Sequence, residues 1–234
     1  DQKAPASTFL FKKRDPLREK GGDEDVKRKN IVAEIHSTEE FYISSLLEMI
    51  EGFKKPLISA SKRPGSTIVE GDIVKMFGNA ETILKLHVDF FKALNQRLYQ
   101  WTASSHLGDI FSHFAPIMII YTEYSTGYQN SSEILEKYQH NDAFNEETSA
   151  LKKKASLENL LIMPVQRLPR YNLLLRDLLS RTADSHPDFK GLQAAIEVIQ
   201  RLCDRVDECT ATASNAQMMA DLAAKDGLVN HYIA

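Results

Sequence analysis

Gln166 and Arg170 stand four residues apart, as do Asn172 and Arg176, and at helical spacing each pair shares one face. Amide and guanidinium groups arranged this way present a polar surface, and they supply neither a nucleophile nor a metal ligand. Spacing alone would describe the solvated side of an amphipathic helix equally well. Other chemistry is hard to find. The seven histidines (36, 87, 106, 113, 140, 186, 231) are scattered and form no HExxH or Cys/His cluster, so no metal site is expected. His87 lies among apolar neighbours and reads as an interface or core-edge residue. There is no GxGxxG and no GK[ST], so no nucleotide or other cofactor is expected to bind this chain itself. Because catalytic groups assemble in space, these absences lower the odds of an enzyme without excluding one.

The bulk numbers narrow the field further. The 234 residues are 43% hydrophobic, enough for one large domain or two small ones with a substantial core. Lys and Arg total 29 against 32 Asp and Glu, for a formal charge of -3, which argues against a nucleic-acid partner. Cys203 and Cys209 fall within one predicted helix at a spacing that keeps them off a common face. Free thiols and a reducing compartment are therefore expected. No apolar run reaches transmembrane length and no secretory core opens the chain, which reads as a soluble cytoplasmic protein, with recruitment to membranes left open.

The elements that must carry the polar pairs are helical throughout. Residues 1–25 mix charge with Pro5, Pro16 and Gly21-Gly22 around one apolar cluster, Phe9 to Phe11, and read as a mobile tail. Ile31, Ile35, Thr38, Tyr42, Leu46, Met49 and Phe53 recur at steps of three or four and predict a first helix from about Lys27, stopping near Pro56. Gly71-Asp72 opens a second, long helix reaching Trp101. An aromatic-rich buried helix from Asp109 to about Lys137 restarts at Pro116, and a modest polar helix covers about Asp142 to Lys154. Leu157 to Leu178 repeat at helical spacing up to His186-Pro187, and a last helix runs from about Asp188 to Ala224, on the order of 50 Å. Ser66 to Val69 is too short to found a sheet.

Within the fifth helix stands Pro164-Val165-Gln166-Arg167-Leu168-Pro169-Arg170-Tyr171-Asn172-Leu173-Leu174-Leu175-Arg176-Asp177. Two prolines inside a helical pattern cost roughly 3 kcal/mol each in an ordinary helix interior, so packing must compensate or the helix bends. The string P-V-Q-R-x-P-R-Y-x-L-L-L-[KR]-[DE] resembles the third signature block of Dbl-homology domains, and its R-x-P-R-Y form is especially similar to members that carry FYVE domains. Glu34-Ile35-His36-Ser37-Thr38-Glu39-Glu40-Phe41-Tyr42 resembles the first block, E-[LI]-x-x-T-E-x-x-Y. The likeness covers about Val26 to Met219.

That resemblance implies an all-α, elongated helical bundle of the Dbl-homology type with a long C-terminal helix. It also implies a guanine nucleotide exchange factor for a Rho/Rac-family small GTPase, doing no covalent chemistry. Glu39 would engage switch I, and Arg170, where many members have Lys, would contact switch II. Asp207 would also hold switch II, where many relatives have Asn in a V-N-E triplet. Ile35, Thr38, Leu161, Ile162, Gln166, Asn172, Arg176 and Asp204 would complete the partner-binding surface, with Leu161 and Ile162 reading the GTPase strand that separates Rho from Rac. Met163 replaces a frequent Lys, and Asp207 accepts where Asn could also donate, which puts partner choice in question. Taken without the family, Glu39 is a first-turn acid, Arg170 a surface charge and Asp207 a partner of Arg205 or Arg201. The resemblance further implies residues 26–219 as the domain and residues 220–234 as the exit toward a pleckstrin-homology domain. A monomer is expected, with membrane contact only through other domains. A GTPase-binding or membrane-associated scaffold without exchange activity is the alternative.

Overall fold

The computed structural model describes residues 23–149 and 155–233, and all of its described secondary structure is helical. The expected tail lies outside the described residues as far as residue 22, as do residues 150–154 of the modest polar helix. Helix α1 spans Asp23–Met49 and buries Ile31, Ile35, Tyr42, Leu46 and Met49. It does not stop at Pro56. A wide π-type turn at Ile50–Lys54 passes the chain without a break into α2, Lys55–Ser61, whose first turn holds Pro56.

The single long second helix is instead two, α3 (Glu70–Phe77) and α4 (Ala80–Tyr99), divided at Gly78, whose φ of 48° ends α3. Then come α5 (Gly108–Phe114), a 3₁₀ turn at Ile117–Ile120 after Pro116, and α6 (Tyr121–Tyr138). Short α7 (Asp142–Ser149) precedes α8 (Leu157–Ser180), capped by the Ser156 hydroxyl accepting from the Asn159 N–H at 3.3 Å. Helix α9 runs Phe189–Ile233, 45 residues or about 65 Å.

Helix α8 is the centre, packed against α1, α6 and α9, while α5 also lies on α9 and α4 on α1. Pro164 and Pro169 both sit inside it. Beside the first, the Tyr124 hydroxyl donates to the Leu161 carbonyl at 2.9 Å and ties α8 to α6 next to the proline.

One buried clamp closes the base of the bundle. Asp188, just before α9, accepts the Leu107 and Gly108 N–H groups at 2.8 and 3.0 Å, capping α5 from a distance, and pairs with Arg28 of α1 at 3.0 Å. Arg28 also donates to the Ser105 carbonyl and the Thr182 hydroxyl, with Trp101 beneath its guanidinium. Here α5 and α9 approach so closely that a Cβ on Gly108 would fall 2.2 Å from the Gly191 carbonyl carbon. Gly108→Ala is therefore expected to destabilise the fold by about 1–3 kcal/mol, read as a lowered denaturant midpoint. Gly191→Ala, whose added carbon would meet nothing nearer than 3.3 Å, should cost less.

Candidate functional site

Helices α1 and α8 run antiparallel, since Arg28 meets Thr182, Glu34 meets Arg170 and Glu39 meets Arg167. The last of these contacts is a correction. Glu39 is 0% exposed, so it cannot reach a docking protein. Its Oε1 lies 2.6 Å from His87 Nδ1, and its Oε2 accepts from Arg167 and the Tyr171 hydroxyl. His87 Nε2 in turn meets the Tyr121 hydroxyl at 2.6 Å, and Tyr121 meets Tyr42 at 3.0 Å. The Arg167 guanidinium stacks on Tyr171 and Tyr42, 4.3 and 4.9 Å from their ring centres. One ionic network thus joins α1, α4, α6 and α8 inside the core. Burial works against the Glu39 carboxylate, but His87, Arg167 and Tyr171 more than offset it and hold its pKa below the ordinary value.

Burial above all drives the phenols of Tyr42, Tyr121 and Tyr171 well above their usual pKa. Above about pH 10 these phenols ionise in the unfolded chain only. Stability is accordingly intact below that pH and is expected to fall as pH rises past it, by about 1.4 kcal/mol per pH unit for each tyrosine concerned. Urea unfolding across an alkaline series checks this. A flat midpoint would show that the phenols are wet.

Two further expected contacts are also interior. Ile35 and Leu161 are 1% and 2% exposed and belong to the apolar core, because each falls on the apolar stripe of its helix. Two acids of the first block are exposed, Glu34 and Glu40, both absent from the expected set, and of these the Glu34 carboxylate accepts from Arg170 at 2.7 Å with both side chains about half exposed. Around this pair the surface is open. Thr38 and Ile162 are half-buried, Thr38 donating to the Ile35 carbonyl, and Gln166 is exposed. Phe41, two turns beyond Glu34 on the same stripe, is 65% exposed, and Leu173, one turn beyond Arg170, is 67% exposed. Two large apolar side chains thus stand in water on the same two helices as the polar pair.

Toward α9 a polar clasp continues the face. Asn172 donates to the Gln200 side-chain oxygen at 2.5 Å, Arg176 donates to both Asn172 and Gln200, and Gln200 donates to Asp204 at 2.8 Å. Gln200 is the hub that sequence reading missed. One turn beyond Asp204, exposed Asp207 edges a cleft of about 160 Å³ between α6, α8 and α9, walled by Tyr128, Val165, Pro169, Cys203 and Val206. Cys203 and Cys209 are free, and burial pushes the Cys203 thiol up to about 11, so it lines the cleft as a neutral group. Arg201 lies nearest Glu197, at 3.8 Å. Among the described residues no His/Cys/Asp/Glu group could hold a metal, and no helix is long and apolar enough to cross a membrane.

The family model "RhoGEF domain" matches residues 31–207, a stretch that includes every residue of this face. The Dictyostelium discoideum "Rac guanine nucleotide exchange factor JJ" is 32% identical over 82% of this chain and 16% of its own length. The Mus musculus "FYVE, RhoGEF and PH domain-containing protein 2" is 27% identical over 88% of this chain and 32% of its own. The chain thus spans less than a third of either relative. Among solved structures, one of the Vav1 exchange factor with PH and C1 domains superposes with a TM-score of 0.73 at 26% identity, covering 86% of this chain and 54% of that one.

Proposed function

Because the chain belongs to the RhoGEF domain family, we propose that it acts as a guanine nucleotide exchange factor for a Rho/Rac-family small GTPase, docking it on the face formed by α1, α8 and α9. The observation that carries this reading is the exposed Glu34–Arg170 pair, which joins the helices of the first and third blocks on the open side of the matched region.

Exchange requires no bond-making by the protein. A factor that binds the empty GTPase better than the loaded one weakens nucleotide and magnesium binding by the same ratio. Inverting a 1:99 population takes about 5.5 kcal/mol of differential affinity, within reach of an ordinary interface. Glu34 and Arg170 neutralise one another in the free protein, and docking lets each trade its partner for a group on the switch regions. Glu34, being exposed, takes the switch I role that the resemblance gave to Glu39, and Arg170 and Asp207 face switch II. Phe41 and Leu173 supply apolar anchors, the cleft beside Asp207 can receive one apolar side chain, and Ile162 stands where partner selection is expected.

Residues 26–219 then form the exchange unit, acting as a monomer in the cytoplasm, and residues 220–234 lead toward a further domain of the pleckstrin-homology type that supplies any membrane contact. Release of a fluorescent guanine nucleotide from a panel of Rho, Rac and related GTPases tests the activity. Acceleration on at least one member is expected, reduced about tenfold by Asp207→Ala, the loss of one charge-assisted contact. No acceleration on any member by a folded chain would overturn the proposal.

A further inference from the structure

We infer that the buried Glu39–Arg167 pair is a positioning device that fixes the register of α1 against α8 and so sets Glu34 opposite Arg170. The inference rests on the exchange reading for its functional half only. Apolar contacts cannot set this register alone. Ile31, Ile35, Tyr42 and Leu46 on α1 follow a helical stripe broken only at Glu39, and Pro164, Leu168, Tyr171 and Leu175 on α8 recur every three or four residues, so a slip of one helical turn, about 5.4 Å, again sets apolar groups against apolar groups. The carboxylate has no such second fit. Its acceptors are taken by groups from two other helices, His87 on α4 and Arg167 and Tyr171 on α8, and a slip would strand it and the Arg167 charge in the core.

The surface pair lies just above this lock. Arg167 is one turn before Arg170, Tyr171 is its neighbour, and Glu34 is five residues before Glu39. An ion pair buried this completely is seldom retained for stability, because apolar side chains of similar size do as well. Fixing one alignment among several is the best-attested use of such a group. Glu39 and Arg167 touch no substrate and act only through Glu34 and Arg170.

The test pairs Glu39→Met with Arg167→Met, which removes both charges at similar volume. Spin labels at exposed Ser37 on α1 and Asp177 on α8, in a chain with Cys203 and Cys209 changed to Ala, report the distance between the helices, and the same core variant without labels is assayed for nucleotide release. The native core should give one narrow distance. The double variant, with its helix content retained, should give a broadened or two-peaked distribution displaced by about 5 Å, and exchange reduced about 100-fold, the cost of a misplacement of this order. Glu39→Gln, which keeps shape and one acceptor oxygen, should show the same broadening at smaller amplitude, and it serves if the double variant fails to fold. A single native distance in any folded variant overturns the inference, whatever the exchange rate does. A native chain that releases nucleotide from no GTPase would overturn the proposed function while leaving the distance result to judge the register.

Discussion

Glu39→Ala is expected to lower the unfolding free energy by about 3–5 kcal/mol, a large part of what holds a domain together, seen as a collapse of the urea midpoint by circular dichroism. The loss comes from what stays behind. Arg167, 6% exposed and with its Nε already lacking a partner, would keep a buried charge with no carboxylate opposite it and only the Tyr42 and Tyr171 rings beside it, and the Tyr171 hydroxyl and His87 Nδ1 would lose their shared acceptor. Removing both charges together should cost far less, because neither ion is then left buried without its partner. The same carboxylate gives the acid limb a sign. Its folded pKa lies below the ordinary value, so its contribution is fully present above about pH 4, the pKa of an unfolded glutamate, and is lost as pH falls through the folded pKa. In Glu39→Ala the midpoint should vary less with pH in that window. A stability loss under about 1 kcal/mol would mean that water reaches the carboxylate.

The two neighbouring acids show how far the sequence could be read. A step of four from Ile35 lands on Glu39 and a step of three lands on Thr38, and helical periodicity permits either as the next member of the buried stripe. Composition favours the threonine, since a lone carboxylate avoids the core. Arg167 sits in the same way between the buried Pro164 and Tyr171 on α8. Two opposite charges at core positions of two helices complement each other, but only the tertiary pairing of α1 with α8 reveals it. That pairing spans 128 residues of chain and leaves no local trace. The apolar stripes themselves were plain, and with them the helical class, α8 and the long α9. Gly78 was the breaker overlooked within the second stripe, and Pro56 was read as a stop although a proline is at ease in a first helical turn. Asp188 was legible as the start of α9, while its capping of α5 and its pairing with Arg28 were not.

Arg170→Glu should do the opposite of Glu39→Ala, leaving stability within about 1 kcal/mol while cutting exchange about 100-fold on whichever GTPase the native chain serves. The stability half follows from exposure. The Arg170 and Glu34 side chains are 52% and 47% exposed, and an ion pair in that setting is worth at most about 1 kcal/mol, so reversing one charge leaves the fold intact. The functional half follows from docking, which strips water from the face and turns a mild repulsion into an unpaired charge at the interface. A swapped pair, Glu34→Arg with Arg170→Glu, separates two accounts of the site. If the pair only braces α1 against α8, the swap restores the brace and exchange returns. If each charge meets its own group on the GTPase, the swap leaves both facing like charges and exchange stays low, with the residual rate rising as salt screens the mismatch. The second result is the one expected, because the Glu34 and Arg170 side chains are each about half exposed and a partner can reach both.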